Sequence, residues 1–158
     1  MSTSAAVRQA TEADASAILD CLHAAFEPYR TEYTPAAFEA TVLTQAALAD
    51  RLRQSMVFVA VTATGHVVGT ISVAVARDGG HVRGLAVRPE RPGHGIAQQL
   101  LATVFAALRG LGCTRVTLET TAPLERAIRF YEAQGFVPTG RIRIFHDMAL
   151  SEYARRLG

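Results

Sequence analysis

At 158 residues, 49% of them apolar, the chain is long enough to bury a sizeable core and too apolar to stay disordered. Its formal charge of +2 is too small to argue for nucleic acid or an anionic membrane surface, and no run approaches the roughly 18 to 20 apolar residues of a membrane span. Cys21 and Cys113 are the only cysteines, too few for a metal site, and Met1–Ala6 lacks the basic-then-apolar run of an export signal, so a metal-free cytoplasmic protein is expected.

Val7 to Ala10 reads as a short opening strand. Thr11 has the form of a helix N-cap with Asp14 three residues on, and Ile18, Leu22 and Phe26 follow at four-residue spacing on one apolar stripe. Thr34-Pro35 starts a second helix over 36–42, and Thr44 caps a third that runs through Leu48 and Leu52 to about Gln54. Then the pattern changes. Residues 57–62 and 66–76 are strands joined by Thr64-Gly65, and Asp78-Gly79-Gly80 turns the chain into a third strand over 81–87.

A long helix begins near Gly95, with Ile96, Leu100, Val104 and Leu108 repeating every four residues and Leu101 and Phe105 widening the stripe; Gly110 and Gly112 close it. Residues 115–119 form a strand, and 123–134 a helix with Leu124, Ala127, Ile128 and Tyr131 on one face and Gly135 as its stop. Residues 137–141 and 143–150 are the closing strands. With no repeat or linker, residues 1–158 are expected to form one domain of the α/β (α+β) class.

The stretch from Leu85 to Leu101 carries the chemistry: a strand runs into a glycine-containing turn that opens a helix. Free amides at a helix start and the positive end of its dipole form an anion site suited to a pyrophosphate, and Arg91 adds a guanidinium beside it. A plain strand-to-helix turn uses the same residue types for geometry alone, and the spacing does not separate the two. A dinucleotide fingerprint would need a third glycine where Gln98 stands, and a nucleoside-triphosphate loop would need a lysine; all 16 basic residues are arginine.

Leu85-x-Val87-x-Pro89, followed by Gly93-x-Gly95-Ile96-Ala97 and Leu100-Leu101, resembles the first acetyl-CoA segment of the GNAT superfamily of N-acetyltransferases. Ala127-Ile128-Arg129-Phe130-Tyr131-Glu132-Ala133-Gln134-Gly135-Phe136 is similar to that family's second segment. The two lie in the right order within residues 81–140. The resemblance implies a mixed, mostly antiparallel sheet of about six or seven strands flanked by about four or five helices. It also implies acetyl-CoA held by Leu85, Ala86, Val87, Arg91, Pro92, Gly93, His94, Gly95, Ile96, Ala97 and Tyr131, with no metal. Two positions depart from the pattern: Pro92 stands where arginine or glutamine is usual and has no amide to donate, and Leu124 stands where many members have asparagine.

By the same resemblance, an amine attacks the thioester directly in a ternary complex. The amine must lose a proton, the carbonyl needs a fixed donor, and the departing thiolate benefits from an acid. Backbone amides of Leu85–Val87 serve the carbonyl, and Tyr131 is the acid, with core packing beside Leu124 and Ile128 as its alternative role. The base stays open between Glu119, His81 and His146. Tyr29, Arg30 and Tyr33, with His146, are the candidate acceptor residues; a small-molecule or peptide amine is the expected partner, and an exposed sheet edge allows a homodimer. The competing reading is a regulatory module that binds acyl-CoA without turnover.

Overall fold

The computed structural model describes residues 5–77, 79–91 and 93–158. Strand β1 (Ala6–Gln9) leads through one 3-10 turn into helix α1 (Ala15–Phe26), and a 3-10 segment (Glu27–Glu32) precedes α2 (Pro35–Val42) and α3 (Gln45–Gln54). A meander of β2 (Met56–Val61), β3 (Val67–Val75) and β4 (Gly79–Val87) follows, then α4 (Gly95–Gly110), β5 (Arg115–Thr120), α5 (Glu125–Ala133), β6 (Val137–Phe145) and β7 (Met148–Arg156). The strands form one seven-stranded sheet in the order β1-β2-β3-β4-β5-β7-β6. Its pairings are antiparallel except β4 with β5, the single place where a helix crossover, α4, joins neighbouring strands.

Helices cover both faces, and the strands show it in their alternation. In β2, Val57 and Val59 pack with α1, α2 and α3, while Phe58 and Ala60 join the core under α4 and α5. The α4 stripe is deeply buried, with Leu100, Leu101, Val104 and Leu108 all at 0% exposure. Gly80 makes that seating achievable: a Cβ there would meet a Leu108 methyl at 2.6 Å and a Val73 methyl at 2.8 Å.

Two of the three helix start signals hold, while Thr11 opens the 3-10 turn Glu12–Asp14 and α1 itself starts after Asp14. The Thr34 and Thr44 hydroxyls each accept an amide hydrogen bond three residues on, at 3.1 Å, from Ala37 and Ala47. Asp14 accepts the Thr11 amide at 2.8 Å and both terminal nitrogens of Arg8 at 2.8 and 2.9 Å, which holds its carboxyl down at about 2. That depressed value contributes stability present above about pH 4 and lost as pH falls toward 2. Asp14→Ala should therefore lower unfolding free energy by about 1 to 2 kcal/mol in urea titrations at neutral pH, a deficit that closes at pH 2.

Several boundaries differ from the sequence reading: β4 already begins at Gly79, within the expected turn, and the last strand runs on to Arg156 rather than stopping at Leu150. Helix α5 starts at Glu125 rather than 123, because a turn closed by the Leu124 amide on the Thr121 carbonyl (3.0 Å) precedes it. The closing strands do not break near Ile142. They run to Phe145 and resume at Met148, joined by His146 and Asp147, whose φ values of 47° and 66° are those of a two-residue hairpin turn. Strand β6 is the sheet edge, with Val137, Ile142 and Ile144 exposed. Among the described residues no helix is long and apolar enough to cross a membrane, and no cluster of three or more His, Cys, Asp or Glu could hold a metal.

Candidate active site

The site begins where a pairing ends. Strands β4 and β5 are in parallel register only from Gly79↔Arg115 to Val82↔Leu118. Beyond that point β4 continues against β3 alone and β5 against β7 alone, so the two strands part and leave a wedge between them. A bulge sharpens the divergence: the register jumps from Ser72↔Arg83 to Thr70↔Ala86, inserting one extra residue in β4, and Gly84 there sits at φ +62°.

Two cavities, of about 660 and about 320 Å³, meet at this wedge and share Ala25, Tyr29, Leu85, Val87, Ala127 and Tyr131. The larger also takes in Tyr33, His81, Ala86, Glu119 and Leu124; the smaller takes in Arg91, Gly93, His94, Ala97 and Arg126. Gly95 and Ile96 form the first turn of α4, between the cavity-lining His94 and Ala97, but line neither cavity themselves, and the Ile96 side chain turns into the core toward Gly69. Pro92 lies outside the described residues.

The smaller cavity tests whether a coenzyme A pyrophosphate fits. Among the described residues no side chain caps the α4 N-terminus, and the first helical amide with a backbone acceptor there is that of Gln98, bonded to the His94 carbonyl at 2.8 Å. A Cβ built on Gly93 or Gly95 would meet nothing within 4 Å, so the turn borders open space. Arg91 and Arg126 bring two guanidinium groups to the same cavity. Amides without an acceptor among the described residues, room at the glycines and two arginines in the lining match a diphosphate. The His94 ring stacks on Phe130 at 5.1 Å, which fixes that side chain as a wall of the cavity.

The larger cavity holds the titrating groups. Arg143 grips the Glu119 carboxylate through two hydrogen bonds of 2.8 and 2.9 Å, which lowers the Glu119 pKa. His81 is opposite Thr117 in the parallel register, its Nδ1 2.8 Å from the Thr117 hydroxyl and its Nε2 3.7 Å from a Glu119 oxygen. Burial lowers the His81 pKa, against the pull of Glu119, so the ring is neutral at physiological pH. Burial raises the Tyr131 phenol far above its ordinary value and pushes Tyr33 up to about 12, so both keep their protons. The Cys21 thiol is likewise pushed up to about 11 by burial and points at the Ala86 carbonyl from behind the strand, which makes it no nucleophile.

Two acceptor-side candidates from the sequence also lie outside both cavities. Arg30 bonds the Glu27 carboxylate at 2.6 and 3.0 Å and lies 4.1 Å over the Phe38 ring, outside the lining of both cavities, because its 3-10 segment turns it back onto the residue three before it. His146 is not in a strand. It occupies the exposed hairpin turn, lines neither cavity, and its carbonyl accepts the Thr34 hydroxyl at 2.7 Å.

Three arginines of the larger cavity escaped the sequence reading. Arg143 is the Glu119 partner; Arg51, at the end of α3, and Arg83, on β4, line the same space. Arg51 places Nη1 2.9 Å from where a Gly84 Cβ would stand, and has no hydrogen-bond or ion-pair partner among the described residues. No pattern on its own helix marks it, since Arg53, two residues on and about 200° round α3, is an arginine that lies in solvent.

Residues 17–136 match the family described as acetyltransferase (GNAT) family. A 57-residue segment is 44% identical to a mouse (Mus musculus) protein named "Probable N-acetyltransferase family 8 member 5"; it makes up 36% of this chain and only 25% of the mouse protein, so the chain spans about a quarter of that relative. The fold is similar to that of a PaiA N-acetyltransferase from Thermoplasma acidophilum solved with coenzyme A (TM-score 0.79, 15% identity, 97% of this chain and 99% of that one). It is also similar to a ribosomal-protein-alanine N-acetyltransferase from Brucella melitensis (TM-score 0.73, 24% identity, 96% and 99%).

Proposed function

Since this chain belongs to the GNAT acetyltransferase family, we propose that it moves an acetyl group from acetyl-CoA onto the nitrogen of an amine in a ternary complex. The observation that carries this reading is the wedge between β4 and β5. It joins an uncapped helix N-terminus to a cavity holding a neutral histidine and a protonated tyrosine.

Acetyl-CoA supplies the activated acyl group as a thioester. Arg91, Arg126 and the α4 amides hold its diphosphate in the smaller cavity, and Leu85–Val87, whose β5-facing edge is unpaired, aims backbone amides at the carbonyl oxygen. His81 takes the proton that the amine gives up as its nitrogen bonds to the acetyl carbon. Glu119, 3.7 Å away, steadies the resulting imidazolium and is itself held still by Arg143. Tyr131, common to both cavities, gives its phenolic proton to the sulfur as the C–S bond breaks. Assigning the base to His81 rather than Glu119 follows from charge: a carboxylate gripped by arginine is a poor proton acceptor, whereas a neutral imidazole is a good one.

A pH profile separates the two. With a weakly basic acceptor that stays uncharged throughout, kcat/KM should fall on the acid side with an inflection below 6.5, the ordinary histidine value. Glu119 raises the His81 pKa, so Glu119→Gln should move that inflection further toward acid and cost about tenfold in rate. Disappearance of the acid limb in Glu119→Gln would instead make Glu119 the base.

A further inference from the structure

Resting on the acetyl-transfer reading above, we propose that the acceptor is an α-amino acid or a close relative, with a carboxylate beside its amine, and that Arg51 receives that carboxylate.

Charge points there first. Glu119 is the one acidic side chain lining the larger cavity among the described residues, and Arg143 already satisfies it. Arg51 and Arg83 line the same space, and Arg51 is half-buried without a partner among the described residues. Burial, with Arg83 nearby, depresses the Arg51 pKa to about 10, as expected of a guanidinium that has lost water with no carboxylate beside it among the described residues. A charge in that condition is costly until a counter-ion arrives, and the planar guanidinium is shaped for a carboxylate held by two parallel hydrogen bonds.

Position then narrows the ligand. The diphosphate site lies beyond Leu85–Val87 in the smaller cavity, whose lining does not include Arg51. The Arg51 Nη1 is against Gly84, the residue before Leu85, so an anion on it stands within about two strand residues, roughly 7 Å, of the amides assigned to the acetyl carbonyl. Amine and carboxylate therefore belong to one small molecule rather than to the two ends of a long one. Phe26, Tyr33, Phe145 and Met148 add apolar surface to a lining that also carries the hydroxyls of Thr41, Thr120 and Thr121 but no second carboxylate among the described residues, which suits an uncharged side chain.

The test compares neutral L-amino acids, each beside its own carboxamide, as acceptors for the wild-type protein and Arg51→Gln, with acetyl-CoA binding of both proteins measured separately by calorimetry. In wild type, kcat/KM should favour the free acid by about 10- to 100-fold, the range for a hydrogen-bonded charged group, and in Arg51→Gln the ratio should fall close to one through a rise in KM for the acid alone. The amide's amine is the less basic and so more often uncharged at neutral pH, which biases the comparison against the proposal. Equal or better turnover of the amides by wild type, or a preference that survives in Arg51→Gln, overturns the role of Arg51. Absence of acetyl-CoA binding by the wild-type protein would overturn the acetyl-transfer reading itself, and with it this one.

Discussion

Tyr131→Phe should lower the single-turnover rate of acetyl transfer about 100-fold while changing the dissociation constant for acetyl-CoA by no more than about twofold, as expected for removal of a general acid. The substitution deletes one oxygen. The ring contacts with Phe130 (5.6 Å) and Phe136 (5.8 Å) are kept, so the packing of α5 against the sheet is preserved. Among the described residues no hydrogen bond is made by the Tyr131 hydroxyl, so its loss strands no partner. Burial keeps the phenol protonated across the working pH range, leaving it one use at the wedge: to donate. An unchanged single-turnover rate would reduce Tyr131 to a packing residue and would move proton delivery to solvent.

Gly95→Glu should abolish acetyl-CoA binding, raising the dissociation constant by more than about 100-fold, without destabilising the protein. Gly95 is the first residue of α4, and its Cβ direction opens into space beside the smaller cavity. A glutamate there projects bulk and negative charge to where a diphosphate would lie. The same carboxylate is favourable to the helix, because acids at a helix N-terminus interact well with its dipole, by about 0.3 to 1 kcal/mol. Loss of binding with an unchanged or slightly raised Tm therefore cannot be assigned to unfolding. Retained binding would move the diphosphate away from the α4 N-terminus.

Sequence periodicity located the helices because each buries one face, whereas β2 and β3, covered on both sides, were marked by continuous runs of branched apolar residues. The stripe Ile18, Leu22, Phe26 and the run Leu100, Leu101, Val104, Leu108 are buried as their spacing requires, and Thr34 and Thr44 cap as their chemistry allows. The closing hairpin was misread for a physical reason. Strand β6 is an exposed edge whose Ile142 and Ile144 are in solvent, so no burial alternation marks its course. The turn itself uses His146 and Asp147 with positive φ and no glycine, which removes the strongest short-range signal for a hairpin.

The site divides in the same way. The glycine turn and Tyr131 could be read in the sequence because they sit in contiguous motifs. The pairing of His81 with Glu119 depends on the parallel register His81↔Thr117, and the arrival of Arg51 against Gly84 depends on a bulge; neither leaves a local mark. Arg51 is one of 16 arginines, and only its placement at the wedge, half-buried and without a partner among the described residues, distinguishes it. His146 looked useful as a histidine in a strand and proved to be a turn residue, its backbone carbonyl rather than its ring engaged by Thr34.

The most direct test of acetyl transfer at this wedge is a stoichiometric one. Purified protein is mixed with acetyl-CoA and a panel of amines, and free coenzyme A thiol and N-acetylated amine are quantified in the same samples. The account predicts that both form in equal amounts, that neither exceeds the uncatalysed background without the amine, and that Gly95→Glu forms neither. Saturable acetyl-CoA binding with no thiol released above background by any amine would contradict it and would leave a module that binds the acyl donor without turning it over.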